Sequence, residues 1–309
     1  MLASLAMRVV ITDQNFGDDA GLERDLVEAA GGELVALACR TEEDVAAALA
    51  EYEPDALLVQ FAPVGARALA AANGLAAIVR YGVGVDNIDV AAAEAAGVEV
   101  SAVPDYCVDE VADHTIALVL AVERGVVTLA SQTRAGGWDY RAAGAVRRLR
   151  GLTLGLVGFG RIARAVGERG RALGMDVVAY DPAVPGAQAE TLDDVLRAAD
   201  VLSLHIPLTE ATRGLVGRRE LALLPEGATV VNTARGGLVD EGALAEALAS
   251  GRLRGAGLDV LGLEPPAEDH PLRAAPNVVL TPHAAWFSTT AIVELRRKAA
   301  EKAIELARR

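Results

Sequence analysis

LTLGLVGFGRIARAVGERGRALGMDVVAYDP, residues 152–182, is the stretch from which the fold can be read. A strand-like apolar run (152–157) meets Gly158-Phe159-Gly160-Arg161-Ile162-Ala163, a helical stretch follows (161–173), and a second strand-like run (176–180) ends on Asp181 and Pro182. In such a unit Gly158 permits the tight turn. Gly160 lets the backbone approach a pyrophosphate resting on the helix N-terminus, beside Arg161 and Ile162. Ala163 stands where a third glycine would govern helix–strand packing, a position that tolerates alanine. Asp181, about twenty residues beyond the first glycine, is placed to accept hydrogen bonds from adenosine ribose hydroxyls, and its charge repels a 2′-phosphate. The expected cofactor is NAD rather than NADP.

On both sides of this unit, short β-branched runs alternate with alanine-rich segments of helical period, the pattern of βα units feeding parallel sheets. Before it, strands are expected at 8–12, 33–37, 56–59, 77–80 and 98–101, with helices at 20–30, 42–50 and 90–96. That block makes an open α/β domain of about five strands. From 152 onward strands are expected at 152–157, 176–180, 201–205, 228–233, 256–259 and 278–280, with helices at 161–173, 192–199 and 241–250. Six strands is the count of a complete dinucleotide fold. A long helix (105–123) and an arginine-rich arm (134–150) with Trp138 and Tyr140 lie between the two series. The last helix (290–309) alternates Glu with Lys or Arg, the mark of an exposed face.

Composition narrows the function classes. The 309 residues carry 29 basic and 43 acidic side chains, a net charge of −14, and 52% are hydrophobic. That is enough apolar material for two domains and excludes a disordered chain. The acidic balance argues against nucleic acid and anionic membrane as partners, so the five arginines of the arm are expected to be solvated or to contact another subunit. Cys39 and Cys107 form neither a disulfide framework nor a metal-ligand spacing, so no metal is expected and a cytoplasmic location is. The opening MLASLAMRVV has no charged region ahead of its apolar residues and runs into a strand, so no secretory signal is expected. Charges interrupt every apolar run short of a membrane span.

Three segments, NTARGG (232–237), LDVLGLEPP (258–266) and LTPHAAWFS (280–288), stand at strand ends beyond the glycine turn. Ligands of open α/β sheets bind outside the carboxyl ends of the strands, so Arg235, Asp259, Glu264 and His283 can converge. Arginine offers a planar fork to a carboxylate. Histidine moves a proton near neutrality, and a nearby glutamate fixes its tautomer and favours its charged form. Each alone has a plainer reading as a solvated or turn residue, but the set beside a dinucleotide turn suits a 2-oxo acid and its 2-hydroxy acid. His114 on the long helix is read as structural, His270 as exposed, and Cys107 as buried rather than nucleophilic.

The order and spacing of RYGVGVDNID (80–89), VGFGRIA, AYDP, LHIPLT, NTARGGLVDE, GLDVLGLEPP and LTPHAAWFS resemble the D-isomer-specific 2-hydroxyacid dehydrogenases. Within that family, Trp286 three positions after His283 and the flanking stretches look most like the C-terminal-binding-protein branch. The resemblance implies an NAD-binding Rossmann domain (103–284) inserted into a flavodoxin-like substrate domain (1–102 and 285–309), two doubly wound open sheets whose cleft closes by hinge motion.

It implies that Arg235 binds the substrate carboxylate, that His283 protonates the keto oxygen and that Glu264 pairs with His283. Asp259 would hold the nicotinamide carboxamide near Thr233 and Ala234. Ile206, Pro207 and Thr212 would line the adenosine. The Val83 and Gly84 amides would add to carboxylate capture, Arg80 and Tyr81 would border the substrate, and Trp286 would shape its pocket. The long helix and arm would supply a homodimer interface. The same branch contains corepressors, so an NAD(H)-sensing interaction protein is the rival reading, and an unusual substrate such as phosphite is a third. Phosphoglycerate is disfavoured, since no C-terminal regulatory domain and no basic cluster for a distal phosphate can be assigned.

Overall fold

The computed structural model describes residues 7–17, 19–184 and 186–309; six residues of the segment bearing on a secretory signal lie outside them. The chain divides into two compact units, Met1–Cys107 with Ser288–Arg309, and Val108–Phe287. The first begins β1 Arg8–Ile11, α1 Gly21–Ala29, β2 Glu33–Ala36, α2 Glu42–Tyr52, β3 Ala56–Val59, α3 Ala66–Leu69, β4 Ala77–Arg80, α4 Val90–Ala95 and β5 Glu99–Ser101. The second runs α5 Val108–Glu123, α6 Val126–Arg134, β6 Thr153–Val157, α7 Arg161–Ala172, β7 Asp176–Tyr180, α8 Leu192–Ala198 and β8 Val201–Leu204. It continues α9 Arg218–Leu223, β9 Ala228–Asn232, α10 Glu241–Ala249, β10 Leu253–Leu258, α11 Pro271–Ala274 and β11 Val278–Leu280. α12, Thr289–Ala307, returns to the first unit.

Both sheets are open and parallel, ordered β2-β1-β3-β4-β5 and β7-β6-β8-β9-β10-β11. β3, β8 and β9 are buried at every position, as strands covered by helices on both faces must be. In the second sheet the chain passes from β7 on one side of β6 to β8 on the other. That reversal opens a crevice beyond the ends of β6 and β8, at the glycine turn.

The units are cut after Cys107 and Phe287, a few residues beyond the boundaries expected at 102 and 284. The reasons are local. The Val103 N–H donates to the Gly82 carbonyl (2.8 Å), and Tyr106 and Cys107 are buried, so α5 starts at Val108 rather than 105. At the other end the Ala285 N–H donates to Asp259, and the Trp286 indole N–H donates to the His283 carbonyl. Both cysteines are buried, and neither is in a disulfide.

Two surface readings are corrected. α12 is not merely a solvated helix: Leu295, Ala299, Ala300, Ala303 and Leu306 are buried, and Arg296 makes two hydrogen bonds (2.8 and 2.6 Å) with the fully buried Glu23 of α1. Breaking such a pair on one side costs about 3–5 kcal/mol, because the other charge is left buried alone. In the arginine arm, Arg134, Arg141, Arg148 and Arg150 are exposed as expected, and Arg147 is the one of the five that departs from that reading. Arg147 forks onto Glu123, the buried last residue of α5, at 2.9 and 2.7 Å, and Arg141 pairs with Asp139. Among the described residues no single helix is long and apolar enough to cross a membrane. α5 and α6 together would be by length and composition, but they meet at 65° and eight residues of α5 are buried.

Candidate active site

The glycine turn lies where β6 gives way to α7. Gly158 has φ +97°, and a Cβ there would sit 2.5 Å from the His205 carbonyl oxygen, so conformation and crowding both require glycine. Gly160 differs: its φ is −72° and a Cβ would meet nothing within 4 Å. Neither backbone nor neighbours require glycine there, and the space left open lies at the amino end of α7, where a pyrophosphate would rest. Ala163 is fully buried in the second unit's core, which fits the packing role expected of it. Arg161 and Ile162 are the first two residues of α7, with Arg161 exposed.

Asp181 follows β7 and braces this turn. Its Oδ2 accepts the Phe159 N–H (2.8 Å), and its Oδ1 accepts the N–H groups of Ala183 and Val184 (2.9 and 3.1 Å). A carboxylate has about four acceptor positions, so Oδ2 keeps capacity for one ribose hydroxyl. After β8, Ile206 is half-buried and Pro207 exposed, and the Thr212 hydroxyl donates to the Pro207 carbonyl (2.7 Å), closing that loop. These residues fit a dinucleotide.

His205, at the same crevice, carries no signal in the sequence. Its Nε2 is 2.9 Å from the buried Ser203 hydroxyl, and burial pushes the imidazole down to about 4. The unfolded chain binds that proton near pH 6.5, so stability is full above pH 6.5 and falls as the pH drops toward 4, by up to about 3 kcal/mol from this residue. His205→Gln keeps a donor toward Ser203 and does not titrate. Urea unfolding at pH 7 and pH 4.5 should show a smaller acid loss for this variant than for the parent, and equal losses would refute the assignment.

The chemistry-bearing groups gather at the ends of β9, β10 and β11. After β9, the fully buried Asn232 donates to the Arg235 carbonyl (2.8 Å) and accepts the Ala234 N–H (3.0 Å), which shapes the loop that carries Thr233, Ala234 and Arg235. Thr233 meets the hydroxyl of Thr115 on α5 at 2.9 Å, another contact hidden in the sequence. A Cβ on Gly236 would collide with the Leu261 carbonyl carbon. Glycine thus lets the Arg235 loop press against the Leu261–Glu264 loop.

Glu264 accepts the Leu261 N–H at Oε1 (3.0 Å) and lies 2.7 Å from His283 Nδ1 at Oε2. Burial opposes the Glu264 charge most strongly. The His283 hydrogen bond and charge, the Leu261 N–H and Arg235 together outweigh it and hold the carboxyl below its usual range. An ionised Glu264 can only accept, so Nδ1 of His283 carries a proton and Nε2 is the atom left for chemistry. Among the described residues Nε2 has no partner. His283 sits at φ +53°, a left-handed conformation that costs a residue with a side chain about 1–2 kcal/mol. Trp286 turns its indole N–H back to the His283 carbonyl (2.9 Å), so that donor serves the turn rather than a ligand.

The remaining expected site residues belong to the first unit. Arg80 ends β4, and its guanidinium occupies the space where a Cβ on Gly82 would stand. Tyr81, expected at the substrate's border, is 2% exposed, and its hydroxyl donates to Glu23 (3.0 Å). Val83 is exposed, and among the described residues the Val83 and Gly84 N–H groups have no acceptor, an arrangement suited to an anion. His270, expected exposed, is half-buried, with Nε2 3.1 Å from Glu241.

Residues 116–285 match the family model described as D-isomer specific 2-hydroxyacid dehydrogenase, NAD binding domain. A hydroxypyruvate reductase of Thermotoga maritima is 40% identical over 238 residues, 75% of this chain and 78% of that protein. A D-3-phosphoglycerate dehydrogenase of Methanocaldococcus jannaschii is 44% identical over 220 residues, 69% of this chain but 42% of that protein. The chain thus spans less than half the length of this and other curated phosphoglycerate dehydrogenases that it matches. Among solved structures, D-lactate dehydrogenase from Aquifex aeolicus complexed with NAD and lactic acid superposes with a TM-score of 0.84 at 26% identity, covering 95% of this chain and 93% of that one.

Proposed function

The chain belongs to the D-isomer specific 2-hydroxyacid dehydrogenase family, and on that basis we propose that it is an NAD-dependent oxidoreductase interconverting a small 2-oxo acid and its D-2-hydroxy acid. The observation that carries the reading is the 2.7 Å pairing of His283 Nδ1 with Glu264, beside Arg235. When bound, the nicotinamide supplies or accepts the hydride at C2 of the substrate. Arg235 holds the substrate carboxylate as an ion pair. His283 gives its Nε2 proton to the keto oxygen during reduction and takes it back during oxidation, and Glu264 stabilises the imidazolium. Asp181 selects the unphosphorylated cofactor. Ile206, Pro207, Thr212, Thr233 and Ala234 border its path, and Trp286 shapes the substrate's side-chain pocket.

The test is NADH oxidation with glyoxylate, hydroxypyruvate, phenylpyruvate and 4-methylthio-2-oxobutyrate, run beside NADPH. At least one acid should be reduced, with kcat/KM for NADH about tenfold or more above that for NADPH, a difference of roughly 1.4 kcal/mol. Preference for NADPH would overturn the role of Asp181. Cofactor binding without turnover of any of the four would favour the sensing protein.

The protein is further proposed to act as a homodimer. Trp138 and Tyr140 are 90% and 84% exposed, and Val126 and Val127 of α6 are exposed as well, large apolar side chains that suit another copy better than water. A monomer in sedimentation velocity would refute it. The net charge of −14 and the carboxylate pairing of Arg141 and Arg147 support the absence of a nucleic-acid or membrane partner, which a filter-binding assay and vesicle flotation can check. Two buried cysteines that form no disulfide with each other support a cytoplasmic location, to be checked by cell fractionation.

A further inference from the structure

We propose that Asp259, Thr281 and His114 are positioning residues for His283: a hydrogen-bond relay beginning on α5 holds the catalytic histidine's backbone left-handed and its ring on Glu264. The inference deepens the reading of His283 as the proton donor and rests on it.

A histidine at φ +53° stays there only if its surroundings hold it. Asp259 makes three of the five contacts that do so. Its carbonyl accepts the His283 N–H (2.7 Å), its Oδ1 the Ala284 N–H (2.9 Å) and its Oδ2 the Ala285 N–H (2.8 Å). The other two are the Thr281 carbonyl, 3.0 Å from the His283 N–H, and the Trp286 indole. The Asp259 side chain is 1% exposed, so its expected contact with the nicotinamide carboxamide would use at most the acceptor position left on Oδ2, while its other positions serve the turn.

The carboxylate is oriented in turn. The Thr281 hydroxyl donates to Oδ1 at 2.6 Å. With its proton committed there, its oxygen can only accept from His114, whose Nε2 lies 2.9 Å away. The direction is therefore fixed from His114 to Thr281 to Asp259, with the proton of His114 on Nε2.

The packing explains why these residues meet. A Cβ on Gly255 would lie 2.7 Å from Val122, and one on Gly257 would lie 2.8 Å from Leu118. Two glycines on one face of β10 thus admit two residues of α5 spaced by one helical turn. One step further along the strand is Asp259, and one turn back along the helix is His114. The glycines that bring α5 onto the sheet deliver His114 to the Asp259–Thr281 pair.

Thr281→Val keeps the shape and removes both ends of the relay. It should lower kcat about 10- to 100-fold, the scale of loss when a reacting group is slightly misplaced, while KM for the 2-oxo acid and the Kd of NADH change less than about threefold. The solvent deuterium isotope effect on kcat should rise as proton transfer becomes limiting. Amide hydrogen exchange at Ala284 and Ala285 should quicken about tenfold or more. Thr281→Ser should restore all of these readouts. His114→Gln, which keeps an N–H near the Nε2 position, should be milder than His114→Leu. Parental kcat and exchange in Thr281→Val would overturn the inference, as would a weakened NADH Kd with unchanged exchange, which would make Asp259 a cofactor ligand first. No turnover by the unaltered protein would instead overturn the catalytic reading beneath it, and exchange at Ala284 and Ala285 separates the two failures.

Discussion

Replacing His283 by alanine should lower kcat for reduction of a 2-oxo acid by about two to four decades, the usual worth of a positioned general acid. In this structure Nδ1 of the ring is committed to Glu264, and among the described residues Nε2 has no partner. Removal of the ring takes away the proton donor while Arg235 and the glycine turn remain, so KM and cofactor affinity should change far less than kcat. Steady-state kinetics with the best acid of the panel, paired with NADH binding by fluorescence, checks this. Turnover within tenfold of the parent would remove His283 from the mechanism. Glu264 adds a pH corollary. Its carboxyl is held below the usual range, so it stays ionised as the pH falls through mild acidity, and an acid loss of activity above that range belongs to other groups.

Arg235→Ala should act in the opposite sense, on binding more than on chemistry. Truncating one partner of a desolvated charge pair costs about 2–5 kcal/mol, so kcat/KM should fall roughly 30- to 5,000-fold, mostly through KM. The effect is large here because the chain carries a net charge of −14 and its long-range field repels an anionic substrate. Arg235→Lys should recover only part of the loss, because an ammonium cannot reproduce the planar two-donor fork. The carboxyl of Glu264 should also move toward its usual range in Arg235→Ala, since Arg235 is one of the groups that lower it. Unchanged KM for the 2-oxo acid in Arg235→Ala would assign carboxylate binding elsewhere.

Much of this architecture is legible before any coordinates. The glycine turn, Asp181 and the residues at the ends of β9, β10 and β11 stand out because a parallel α/β sheet places its ligand groups at fixed points after each strand. Misreadings arose where burial depends on a distant element. The charges of α12 look solvated along the chain, yet Arg296 is buried because Glu23 lies opposite, 273 positions away. The Glu241 contact makes His270 half-buried, although the loop around it reads as exposed. His205 carries no local signal at all: its strand looks like any other apolar strand, and only packing deprives the imidazole of water.

His283 shows where the division falls. Sequence alone determines that a histidine, a glutamate and an arginine follow three strands of a dinucleotide-binding sheet, because local hydrophobic period and glycine turns encode those strands. Only the tertiary structure decides that this histidine sits left-handed, that Glu264 takes its Nδ1, and that a relay from His114, 167 positions before Thr281, orients the carboxylate beneath it. Hydrogen-bond directions and burial are set by which side chains meet across the fold. Such meetings depend on the close approach of α5 to β10, which local period does not report.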